Sequence, residues 1–73
     1  MDRQEDALLK LGRQLTQLRE AQQLTIPGLA ALTGLDPRDI AAMEAGEIDI
    51  RITTIFILAR ALGVTPDKFL PSF

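Results

Sequence analysis

The run Thr25-Ile26-Pro27-Gly28-Leu29-Ala30-Ala31-Leu32-Thr33-Gly34-Leu35-Asp36-Pro37-Arg38-Asp39-Ile40-Ala41-Ala42-Met43-Glu44-Ala45-Gly46 decides the fold. Its punctuation reads as two short helices around one tight turn. Thr25 or Ile26 can serve as an N-cap, and Pro27 is accommodated in a first turn whose N–H groups lack intrahelical partners. Gly34 supplies the positive-φ residue that ends this helix at about Thr33. Asp36-Pro37 starts the next helix with a capping carboxylate and a proline at the first helical position. Asp39, three residues after Asp36, resembles the second half of a capping box with a shorter acid. That helix, Pro37 to Ala45, places Ile40 and Met43 on one face and is stopped by Gly46.

Outward from this pair the apolar spacing stays helical. Leu8, Leu11, Leu15 and Leu18 recur along one face between Asp6 and Gln23, with Arg13, Gln14, Gln17 and Glu20 elsewhere, which predicts a first amphipathic helix. After a linker from Glu47 to Arg51, a fourth helix is expected over Ile52 to Leu62. Its inward face is Ile55, Leu58, Ala59 and Leu62, and Gly63 closes it, leaving Phe56 and Ile57 pointing away. Thr65-Pro66-Asp67 opens a last helix of about one turn that carries Phe69 and Leu70 before Pro71. No segment alternates as a strand would. The expectation is an all-α, compact five-helix domain spanning residues 1–73, with the second and third helices in the proportions of a helix-turn-helix unit.

Composition narrows the chemistry. The chain has 73 residues, is 47% hydrophobic and 25% charged, and contains neither Cys nor His. That removes thiolate and imidazole metal ligands and the commonest general base, so no metal, no cofactor and no enzyme activity are expected. Glu44, Glu47 and Asp49 lie close in sequence, but without an EF-hand pattern they read as a solvated acidic segment. The N-terminus is charged with no apolar h-region behind it, and the richest apolar stretch, Ile52 to Val64, is too short to cross a bilayer. A cytoplasmic protein with no membrane partner is expected.

The residues also carry a family pattern. Leu11-Gly12, Leu18-Arg19-Glu20, Leu24-Thr25, Leu29-Ala30, Thr33-Gly34-Leu35, Ile40, Met43-Glu44, Gly46, Thr54-Ile55 and Leu58-Ala59-Arg60-Ala61-Leu62-Gly63-Val64, in that order over about residues 11–70, resemble the lambda repressor and Cro-like (XRE-type) helix-turn-helix family. The resemblance implies a sequence-specific DNA-binding transcriptional regulator. It would bind double-stranded operator DNA as a dimer, with the third helix (about 37–45) in the major groove. On the same basis the phosphate-facing start of the second helix falls on Thr25, Ile26 and Pro27. The base-facing positions fall on Pro37, Arg38, Asp39 and Ala42, and further backbone contacts on Ala45, Glu47 and Asp49. A structural pair between the first helix and the end of the third falls on Arg19 and Glu44.

The sequence departs from the family at this surface. Ile26 stands where glutamine is common and cannot donate to a phosphate, and Pro27 removes an N–H from the same turn. Ala41, Ala42 and Ala45 replace polar residues, which leaves Arg38 as the strong donor of the third helix. Over residues 25–49 Arg38 stands against Asp36, Asp39, Glu44, Glu47 and Asp49, a net charge of −4 within a chain of net charge −2. Counterion release from such a surface is small. Ile48, Ile50, Phe56, Ile57, Phe69 and Phe73 exceed the apparent needs of a small core, and Ile57, Phe69 and Phe73 are expected at a homodimer seam. The alternative reading is a protein-interaction or dimerisation module on the same scaffold, with DNA binding weak or lost and a protein partner in its place.

Overall fold

Helix caps organise the chain as the sequence predicts, and the computed structural model describes residues 3–70, with side chains from Asp6 onward. Four α-helices are formed, α1 (Arg3–Ala21), α2 (Ile26–Thr33), α3 (Pro37–Glu44) and α4 (Ile52–Leu62), with no strand among the described residues. The expected fifth helix is instead a single 3-10 turn, Pro66–Phe69. Its bonds are of the i→i+3 type, from the Lys68 N–H to the Thr65 carbonyl at 3.0 Å and from the Leu70 N–H to the Asp67 carbonyl at 3.1 Å. Between the extended Thr65 and the extended Leu70 there are too few residues to propagate an i→i+4 ladder.

Every element contributes to one core. Leu15 from α1, Leu29 from α2, Ile40 from α3, Leu58 from α4 and Phe69 from the 3-10 turn are fully enclosed, and Ala30, Met43, Ile55, Ala59 and Leu62 complete the shell. Burying five such side chains contributes on the order of 2 kcal/mol each. α1 packs on α3 and on the 3-10 turn, α2 packs on α3 and α4, and α4 packs on the turn. The Gln14 side-chain amide donates to the Lys68 carbonyl at 2.8 Å, which ties α1 to the turn a second time.

Two apolar assignments change. Phe69, expected at a dimer seam, has no exposed surface, and Ile50 is buried too. Periodicity within one turn cannot distinguish a residue facing its own core from one facing a partner, and in a core this small an aromatic ring is the most economical filler.

The contact of α1 with α3 depends on an absent side chain. A Cβ at Gly12 would lie against the Met43 carbonyl oxygen and 2.6 Å from the Glu44 carbonyl oxygen, so the two backbones approach to a distance that no larger residue permits. Helices α1, α3 and α4 end alike. In each, one N–H reaches back across the last turn: Leu24 to Arg19 (3.2 Å), Glu47 to Ala42 (2.9 Å) and Val64 to Ala59 (3.0 Å). The residue in the left-handed position is Gly46 in α3 and Gly63 in α4, but in α1 it is Gln23 at φ 58°.

A side chain in that region is disfavoured by about 1–2 kcal/mol, and glycine relieves the strain while adding entropy to the unfolded chain. Gln23→Gly should therefore stabilise the protein by about 0.5–1 kcal/mol, raising the melting temperature by about 3–6 °C. A melting temperature unchanged or lowered would show that the Gln23 side chain contributes more than its backbone strain removes.

Candidate nucleic-acid interface

The α2–turn–α3 unit is built by side chains that satisfy its own helix ends. Thr25 adopts extended geometry and its Oγ1 accepts the Gly28 N–H at 3.0 Å, which settles the start of α2. At the other end the Thr33 hydroxyl donates to the Leu29 carbonyl (2.9 Å) and accepts the Leu35 N–H (3.2 Å), while the Gly34 N–H closes on the Ala30 carbonyl at 2.8 Å. Asp36 begins α3, with its Oδ1 accepting the Arg38 N–H at 2.8 Å. The Asp39 N–H goes to the Asp36 carbonyl, not to its side chain. The capping box expected with Asp39 is thus replaced by a cap one residue earlier, as the shorter reach of an Asp side chain favours.

A second network sets α3 against α1. Arg19 donates from Nε to Glu44 Oε2 at 2.7 Å and from Nη2 to Oε1 at 3.0 Å, a two-pronged pair whose side chains are only 12% and 9% exposed. Arg19 Nη1 donates to the Leu24 carbonyl at 2.6 Å, and the Thr16 hydroxyl donates to Glu44 Oε1 at 3.0 Å. The guanidinium is therefore shared among the end of α3 and the residue just before the Thr25 cap. Its pKa is raised by the Glu44 hydrogen bond, so it stays charged throughout. The pairing of Arg19 with Glu44 was legible from the family pattern. The roles of Thr16 and of the Leu24 carbonyl were not, although Thr16 lies one turn before Arg19 on the same helix face.

The outward surface is sparse. Thr25 and Pro27 are exposed, whereas Ile26 is half-buried and packs against the core, so its side chain is committed inward. On α3, Pro37, Arg38, Asp39 and Ala41 are exposed, Ala42 is half-buried, and Ile40 and Met43 are enclosed, while Ala45 at the C-cap is exposed. Glu44 is consumed by Arg19 and the exposed Asp36 by the cap, leaving Asp39, Glu47 and Asp49 as the exposed acids of residues 25–49 outside the pair and the cap. Of the expected seam residues, Ile57 is 43% exposed, Phe69 lies in the core and Phe73 falls outside the described residues. On the same outer side of α4, Ile52 and Phe56 are 70% and 57% exposed.

Arg38, whose side chain is 90% exposed, also contacts its own cap: Nη2 lies 3.2 Å from Asp36 Oδ2 and Nε 3.4 Å from Oδ1. The guanidinium and then the capping N–H hold the Asp36 carboxyl below the usual carboxylate range. A carboxyl whose pKa is lower in the folded state contributes stability above its unfolded pKa, near 4, and loses it as pH falls through the folded value. Asp67 behaves in the same way, held down by the Thr65 hydroxyl. Asp36→Asn keeps a cap of similar strength without a titrating group. In melting curves from pH 5 to pH 2 it should lose less stability than the parent, with residual acid sensitivity coming from Asp67. Parallel pH profiles would remove Asp36 from the acid transition.

Comparison with known proteins accords with this geometry. A model described as "Helix-turn-helix domain" matches residues 10–69. The restriction-modification controller protein C.AhdI from Aeromonas hydrophila is 35% identical, with a TM-score of 0.84 over 86% of this chain and 96% of that one. An HTH_3 family transcriptional regulator from Vibrio cholerae is 26% identical with a TM-score of 0.86, covering 90% of this chain but 37% of its own. The hypothetical transcription factor NHTF from Neisseria is 26% identical with a TM-score of 0.85, covering 93% of this chain and 78% of its own. No curated protein matches the sequence. With four helices, capped and turned as described, and a match running from α1 through the last turn, the chain belongs to the XRE-type helix-turn-helix family of DNA-binding regulators.

Proposed function

We propose that this chain is a sequence-specific transcriptional regulator that binds operator DNA as a homodimer, with α3 in the major groove. The observation that carries the reading is Arg38, exposed at the start of α3 at the family's base-facing position, with the small Ala41 and Ala42 one turn further along the helix to let it approach closely. Near full-length similarity to a restriction-modification controller protein supports a regulatory role over an enzymatic one. Pro37, Asp39 and Ala42 line the same approach, and Thr25 and Pro27 mark the backbone side. Ile26, turned into the core, supports the approach from beneath. With Arg38 as the donor of α3 and a net −4 over residues 25–49, affinity rests on few phosphate contacts.

Dimerisation is favoured by Ile48, Ile52, Phe56 and Ile57, exposed by 38%, 70%, 57% and 43%. These are large apolar side chains that a monomer leaves in water and that a second copy would cover. Two α3 helices would then read half-sites about one helical turn apart.

Fluorescence anisotropy with duplexes carrying random cores is expected to show binding at low salt, with a shallow dependence on salt concentration. Arg38→Ala should lower discrimination among sequences on the order of tenfold. Phe56→Ser should shift sedimentation toward the monomer and weaken DNA binding. No binding to any duplex at low salt would overturn the proposal. Self-association through the exposed apolar residues of α4 with DNA inert would establish the protein-interaction reading in its place.

A further inference from the structure

Arg38 is gripped along one edge only. Asp36 occupies the Nε and Nη2 side of the guanidinium, at 3.4 Å and 3.2 Å, and is itself fixed by the 2.8 Å bond that its Oδ1 accepts from the Arg38 backbone N–H. The opposite edge, with the Nη1 hydrogens and the outer hydrogen of Nη2, faces solvent on a side chain 90% exposed. An arginine ordinarily loses substantial rotamer freedom when it engages a ligand, and a carboxylate anchored by a helix cap reduces that loss.

The charges point to what this edge can take. Arg38 and Asp36 sum to zero, and Asp39 adds a negative charge beside them. Such a group offers a phosphate little attraction, since counterion release depends on net positive charge brought to the backbone. It keeps its full capacity for two parallel hydrogen bonds to neutral acceptors. In the major groove guanine presents that pair, O6 and N7.

We propose that Asp36 is a positioning residue for base reading: it holds Arg38 by its inner edge and aims the outer edge at the O6/N7 pair of a guanine. This rests on the DNA-binding reading above. It separates affinity from specificity with opposite signs. Removing the Asp36 charge takes an anion away from the DNA surface, so binding to unselected duplex rises and its salt dependence steepens. Arg38 meanwhile loses its fixed orientation, so preference for guanine falls.

The experiment selects bound duplexes from a pool with a 20-base-pair random core, comparing the parent chain with Asp36→Asn, Asp36→Ser and Arg38→Ala. Asn and Ser both retain an N-cap, and melting curves confirm that each variant folds. The parent should enrich guanine at one position of each half-site, and Arg38→Ala should abolish that enrichment. Both Asp36 variants should reduce it several-fold while binding the unselected pool at least as tightly as the parent. Replacing the selected guanine with 7-deazaguanine should weaken the parent on the order of tenfold and leave Arg38→Ala unaffected. A parent that selects sequence, with Asp36 variants that select it equally well, overturns this inference and leaves the DNA reading standing. A parent that binds no duplex overturns both.

Discussion

Gly12→Ala should destabilise the protein by about 2–3 kcal/mol, with the melting temperature falling by about 10–20 °C. The sign is the informative part. In the interior of an isolated helix alanine is preferred to glycine by about 1 kcal/mol, so propensity alone predicts a gain. The added methyl, however, meets the Met43 carbonyl oxygen and lies 2.6 Å from the Glu44 carbonyl oxygen and 3.0 Å from its carbon. Those are backbone atoms at the end of α3, which cannot rotate aside as a side chain would. Relief requires α1 and α3 to separate, which loosens Leu15 against its neighbours and stretches the bonds between Arg19 and Glu44.

Gly34→Ala provides a control with a different mechanism. Nothing lies within 4 Å of a Cβ there, and the strain comes only from φ +78°. That substitution should cost about 1–2 kcal/mol without disturbing the contact between α1 and α3. Amide shifts in Gly12→Ala should spread to Met43, Glu44 and Ala45, and in Gly34→Ala stay near the α2–α3 turn. A Gly12→Ala protein as stable as its parent would mean that α1 and α3 tolerate a wider spacing than the core implies.

What could be read from the sequence divides along the same line as these two glycines. Caps and stops are local events, so Asp36, Gly34, Gly46 and Gly63 identified helix ends from their immediate neighbours, and Thr25 was one of two candidates. The end of α1 escaped that logic because Gln23 occupies a position usually given to glycine. Close approach is a long-range event. Gly12 stood inside an amphipathic repeat with nothing in its surroundings to show that the end of α3 would press against it. Phe69 failed for a related reason: a one-turn segment has no second turn to show which way its apolar face is directed.

The candidate site shows the same division. Arg38 was legible as an exposed donor because α3 has few other polar side chains, whereas the grip of Asp36 on one edge of its guanidinium depends on side-chain torsions that sequence does not encode. The inward commitment of Ile26 was likewise visible only once α2 was docked.

Breaking the Arg19–Glu44 pair should be the other large effect. Each partner is about nine-tenths enclosed, so truncating one leaves the other charged without its counterion. Arg19→Met or Glu44→Leu alone should therefore cost about 3–5 kcal/mol, enough to leave a domain of this size largely unfolded in moderate urea. The double variant, Arg19→Met with Glu44→Leu, removes both charges while keeping similar volume, and apolar replacements of buried pairs are often neutral or stabilising. It should recover most of the loss. Recovery should fall short by about 1 kcal/mol, because the Leu24 carbonyl loses its bond from Arg19 Nη1 in the double variant as in the single. Thr16 retains an acceptor in the Gly12 carbonyl at 3.1 Å, so its hydroxyl is not orphaned.

The shortfall has a location. Leu24 immediately precedes the Thr25 cap, so in the double variant amide exchange should accelerate over residues 24–28 and stay protected in α4. DNA affinity should then fall more than global stability does, since the start of α2 is loosened relative to α3. Additive losses in the urea series would show that Arg19 and Glu44 act independently. A double variant with fully protected residues 24–28 would show that the packing of Leu24 and Ile26, and not the guanidinium, fixes the α1–α2 turn.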